Sequence, residues 1–68
     1  MYKSRLKLIR EEKGMTQAEL AERSGVNLRM IQNYEQGVKD INKASVVTVL
    51  QLAEALGCDV YKIINDRQ

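Results

Sequence analysis

The sequence predicts an all-α fold, a compact arrangement of five short helices, and three observations carry that prediction. Gly14, Gly25, Gly37 and Gly57 each follow a stretch of helical periodicity, at the place where a helix ends in a left-handed residue that glycine tolerates best. The composition is 44% hydrophobic and 29% charged with no proline, which suits helix packing. Thr16-Gln17-Ala18-Glu19 has the Thr-x-x-Glu spacing of a capping box, in which hydroxyl and carboxylate satisfy orphan N–H groups reciprocally. Four glycine stops imply four helices, and the segment after Gly57 adds a fifth.

Taken in order, helix 1 runs from about Ser4 to Lys13, with Leu6 and Ile9 inward, Leu8 at the edge and Lys7, Glu11 and Glu12 toward water. Helix 2 begins at Gln17 and ends near Ser24. Met15 and Leu20 take the positions of a hydrophobic staple around its cap. Only Gly25, Val26 and at most Asn27 separate it from helix 3. So short a link forces a sharp angle, and the small Ala21 permits close approach. Helix 3 covers about Asn27 to Gln36, with Ile31 and Tyr34 inward behind Val26. Asn42 is the expected N-cap of helix 4, about Lys43 to Leu56, whose apolar stripe is Val46, Val49, Leu50, Ala53 and Leu56. Asp59 caps helix 5, about Val60 to Ile64.

Size and composition narrow the function classes. A chain of 68 residues is read as one domain, residues 1–68, and buries only roughly 60% of its unfolded surface, leaving little room for an enclosed active site. One cysteine, Cys58, and no histidine exclude a disulfide within the chain, a Cys/His dyad and any usual zinc site. Cys58 is read as a small packing residue. No cofactor, metal or small-molecule substrate is expected, and no enzyme. No apolar run approaches the roughly 20 residues that span a bilayer. Met1-Tyr2-Lys3-Ser4-Arg5 lacks the apolar segment of a signal peptide. The expected location is therefore cytoplasmic. A net charge of +2 permits nucleic-acid binding without arguing for it, so the distribution of side chains must decide.

The outer face of helix 3 does decide. Asn27, Leu28, Arg29, Gln32, Asn33 and Gln36 point outward, a surface of bidentate hydrogen-bonding groups where an ordinary solvated helix carries Glu/Lys pairs. Residues 16–37, TQAELAERSGVNLRMIQNYEQG, resemble the helix-turn-helix of the phage repressor/Cro family, also called the xenobiotic-response-element family. The matching features are Gln17 opening helix 2, Leu20-Ala21, Gly25 in the turn, Ile31, and Tyr34-Glu35-x-Gly37. Leu-Ile-Arg before them and Leu-Ala-Glu-Ala-Leu-Gly after them extend the resemblance over nearly the whole chain.

That resemblance implies a lambda-repressor-like DNA-binding domain with helix 3 as the recognition helix in the major groove and helix 2 across the backbone. Arg29 would then read a guanine through O6 and N7, Asn33 or Gln32 an adenine, and Leu28 would lie against a thymine methyl. Asn27 would meet a phosphate or a base. Gln17 would reach a phosphate and prop the recognition helix, where the free N–H groups of helix 2 also suit an anion. Lys39 and Lys43 flank the loop that in the family runs along the backbone, and Arg5 and Lys7 are further phosphate candidates. Arg10 and Glu35 match residues that tie helix 1 to the end of helix 3 as a partly buried ion pair, which fixes orientation more than it adds stability.

The implied function is sequence-specific binding of a double-stranded DNA operator and transcriptional regulation, as a repressor. The rival class is a protein-interaction module on the same scaffold, an antitoxin or antirepressor. Salt dependence separates the two, because phosphate contacts release counterions. With the chain ending at Gln68, no separate dimerisation domain is expected. A weak or DNA-assisted homodimer would use Val47, Leu50, Tyr61 and Ile64 of helices 4 and 5.

Overall fold

The computed structural model describes residues 4–64. The reading of Met1 to Lys3 as no leader, and of the chain's end at Gln68, lies outside the described residues. Five α-helices follow one another: α1 (Arg5–Glu12), α2 (Gln17–Ser24), α3 (Leu28–Gln36), α4 (Val46–Leu56) and α5 (Tyr61–Ile64), with one 3-10 turn at Ile41–Lys43. There is no strand among the described residues.

Each helix starts where a short polar side chain can accept a backbone N–H. Ser4 Oγ accepts from Lys7 at 2.9 Å and opens α1. At α2 the capping box is complete: the Glu19 N–H donates to Thr16 Oγ1 at 3.1 Å, and the Thr16 N–H donates to Glu19 Oε1 at 2.8 Å. Met15 is half-buried on the core and Leu20 is fully buried, as the staple requires. Thr16→Ala removes one half of this box and should lower stability by about 1 kcal/mol. For a domain this small that is a fall in Tm of about 4–8 °C, readable by thermal denaturation.

The start of α4 differs from the sequence expectation. Asn42 does not cap it; Asn42 lies within the 3-10 turn, whose cap is Asp40, accepting the Asn42 N–H at 3.0 Å. The N-cap of α4 is Ser45, whose hydroxyl accepts from the Thr48 N–H at 3.1 Å. The buried line of α4 shifts with it. Val49, Leu52, Ala53 and Leu56 are buried, whereas Val46 is 73% and Leu50 is 50% exposed. The physical reason is that α4 packs mainly on α2, and Leu52, not Leu50, faces that helix side of the core. The turn before α4 also buries Ile41, which is 1% exposed.

One cluster joins the helices: Leu6 of α1, Leu20 of α2, Val26 of the link, Ile31 and Tyr34 of α3, Ile41, then Leu52, Ala53 and Leu56 of α4, and Ile63 of α5. Cys58 packs half-buried against this cluster, and burial pushes its thiol up, away from the reactive thiolate. Asp59 Oδ1 accepts the Tyr61 N–H at 3.0 Å and so starts α5. No helix among the described residues is long and apolar enough to cross a membrane.

Candidate nucleic-acid interface

The site rests on the turn between α2 and α3. Gly25 sits at φ +77°, ψ +6°, with its N–H on the Ala21 carbonyl at 2.9 Å. A Cβ there would meet nothing nearer than Gln51 Nε2 at 4.0 Å. Conformation, and not space, therefore selects glycine. The next amide, of Val26, donates to the buried Ser24 hydroxyl at 3.1 Å, and the Val26 side chain is buried. Asn27 then caps α3, its Oδ1 accepting from the Arg29 N–H at 2.7 Å. These bonds satisfy the Gly25, Val26 and Arg29 amides and help set the angle at which α3 leaves the turn.

Behind α3 lies a charged cluster. Arg10 of α1 donates through Nε to Glu35 Oε2 at 2.7 Å and through Nη2 to Glu35 Oε1 at 3.0 Å. Its Nη1 donates to the Met15 carbonyl at 2.6 Å. Gln17, the first residue of α2, adds a bond from Nε2 to Glu35 Oε1 at 2.9 Å. Arg10 and Glu35 are buried, with side chains 10% and 2% exposed. The hydrogen bond to Glu35 holds the guanidinium above its ordinary range against the opposing effect of burial. The fork-to-fork geometry is the strongest form of such a pair. One carboxylate at the end of α3 thus gathers α1 and α2, and Arg10 in turn holds the α1–α2 link. Nothing in the sequence singles out the Met15 carbonyl as a partner of Arg10, or the Gln17 amide as a partner of Glu35.

In front, α3 presents its outward face. Leu28 and Arg29 are exposed, Gln32 and Asn33 are half-buried, and Gln36 is exposed. Asn27 is exposed at the helix start, with its carbonyl oxygen committed to the cap and its amide hydrogens left to donate. Gln17 is half-buried, one of its amide hydrogens directed at Glu35. The Asn33 carbonyl accepts from Val38 at 2.9 Å and Lys39 at 3.2 Å, which folds the chain back so that Lys39 and Lys43 line a groove of about 440 Å³ beside Met30 and Tyr34 of α3. The structure therefore brings Lys39 and Lys43 to the flank of α3. Arg5 and Lys7 lie exposed on α1. No group of three or more acidic, cysteine or histidine side chains among the described residues is placed to hold a metal ion.

Comparison with known proteins matches this arrangement. The sequence profile of the helix-turn-helix family matches residues 6–63. The chain is also 33% identical over 57 residues to the uncharacterized HTH-type transcriptional regulator y4dJ of Sinorhizobium fredii, covering 84% of this chain and 70% of that protein.

Proposed function

The chain belongs to the helix-turn-helix family, of the phage repressor/Cro type, and from that membership we propose that it is a sequence-specific DNA-binding transcriptional repressor. Residues 1–68 act as a single DNA-binding domain in the cytoplasm, with no catalytic role. The observation that carries the reading is the two-sided build of α3. Its inner side is fixed by Ile31, Tyr34 and the Arg10–Glu35 pair. Its outer side offers Arg29, Gln32 and Asn33 to a major groove whose edges those side chains can read.

Arg29 is assigned to a guanine and Asn33 or Gln32 to an adenine. Asn27 and Gln17, each with an amide donor left over, are assigned to phosphates at the rims of the groove. Lys39 and Lys43 continue the phosphate contacts along the loop. The test is selection of bound duplexes from a random library, followed by titration against salt. Arg29→Ala should cost about 1–3 kcal/mol of affinity and relax the preference for one guanine. Lys39→Ala should weaken all sequences alike and reduce the salt slope by about one. Binding that ignores salt and Arg29→Ala would transfer the chain to the protein-interaction class, as an antitoxin or antirepressor.

A second copy completes the operator complex in this proposal. Val47 and Tyr61 are exposed by 64% and 71%, and Leu50 and Ile64 edge a shallow apolar groove of about 160 Å³ between α4 and α5. The patch is small, which suits a weak dimer assembled on half-sites about one helical turn apart. Sedimentation should show monomer in dilute solution and two copies on a palindromic duplex, with Leu50→Glu preventing the second copy from binding. A strict monomer on that duplex would remove the dimer from the proposal.

A further inference from the structure

α3 contains four apolar side chains, and three of them belong to the interior: Ile31 and Tyr34 are core residues and Met30 packs against them. Leu28 is the exception, 39% exposed at the first position of the helix. Its neighbours on the outer face are polar, Arg29 beside it and Gln32 one turn on. The Asn27 cap holds the Arg29 amide, so the backbone carrying Leu28 and Arg29 is fixed before any ligand arrives. An exposed leucine among groups built for hydrogen bonding has an apolar counterpart in the major groove, and the groove offers one kind: the C5-methyl group of a pyrimidine.

Resting on the DNA-binding reading, we infer that Leu28 makes this interface a sensor of pyrimidine C5-methyl groups, so that affinity responds to methylation of cytosine as well as to thymine. Thymine and 5-methylcytosine carry the same methyl in the same place on the groove wall. A leucine reads the methyl without reading the O4 or N4 atom beside it. Leu28 and Arg29 are consecutive residues in the first turn, so the methyl lies in a base pair next to the guanine that Arg29 reads. The pair recognised next to that guanine then carries thymine or 5-methylcytosine, with unmethylated cytosine disfavoured.

The test uses the full chain and a duplex obtained by selection. Each thymine next to the Arg29-dependent guanine is replaced by deoxyuridine, and each corresponding cytosine is compared with 5-methylcytosine. Loss of the methyl should weaken binding about fourfold, and its gain on cytosine should strengthen binding by the same factor, as one buried methyl predicts. Leu28→Ala should erase both differences. Its thermal unfolding should match the parent, because the side chain is no part of the core. Salt-sensitive binding that is indifferent to uridine and to 5-methylcytosine would overturn the inference and leave the DNA-binding reading standing. The same would follow from methyl discrimination that survives Leu28→Ala. Failure to enrich any duplex would overturn both.

Discussion

Glu35→Ala should leave the protein largely unfolded at room temperature. Glu35 accepts three N–H bonds, two from Arg10 and one from Gln17. Its removal strands a guanidinium on a buried site, keeping only the Met15 carbonyl as partner. Breaking one half of a buried pair costs about 3–5 kcal/mol. Domains below about 70–80 residues rarely hold more than about 3–5 kcal/mol in all, so the loss matches the reserve. Circular dichroism against temperature is the direct measurement, and a cooperative transition near that of the parent would contradict the role given to the cluster. The companion variant is the double replacement Arg10→Met with Glu35→Leu. Desolvation offsets much of what an ion pair contributes, and an apolar pair of similar volume is often neutral or stabilising. The double variant should therefore fold where Glu35→Ala does not. If α3 is then less well fixed against α1 and α2, DNA affinity should fall even as thermal stability recovers.

Leu52→Ala should lower stability by about 2–5 kcal/mol, the usual cost of emptying a leucine site that cannot collapse. Leu52 is fully buried where α4 meets the core. Leu50→Ala, two residues away and half exposed, should change stability by less than about 0.5 kcal/mol. The pair of variants measures the register of α4 itself. Equal effects, or a larger effect at position 50, would restore the stripe expected from spacing alone. Denaturant titration gives both values, and unchanged m-values would show that the difference lies in the folded state.

That register marks the limit of what the sequence discloses. α2 is legible to the residue, because Thr16 and Glu19 are local partners and Gly25 ends the helix by its own conformational preference. The turn and the inner face of α3 are legible for the same reason. At α4 the sequence points to Asn42, a residue type that favours caps, whereas the structure caps the helix with Ser45. Ser45 wins because the segment Ile41–Lys43 must first make a tight turn that buries Ile41. Val46 and Val47 are as hydrophobic as Val49, yet they lie 73% and 64% exposed. Only the packing of α2 on α4 distinguishes them. The charged cluster divides in the same way: Arg10 and Glu35 stand out through family resemblance, whereas the Met15 carbonyl reaches Arg10, and the Gln17 amide reaches Glu35, only through the folded path of the chain. For the interface, the residue types on α3 were readable. The donor-only state of Asn27 was not, since it follows from which atom the cap uses.

The buried carboxylate behind α3 also bears on how such a protein could be rewritten. The side chains that hold the helix, at positions 31, 34 and 35, and those proposed to meet DNA, at positions 28, 29, 32 and 33, share no residue. An exchange of the second set leaves every anchoring bond in place, so a new binding preference can be grafted without redesigning the chassis. A lineage of such proteins could diversify its targets by a few point changes on one face of α3, while the anchoring residues stay common to all of them.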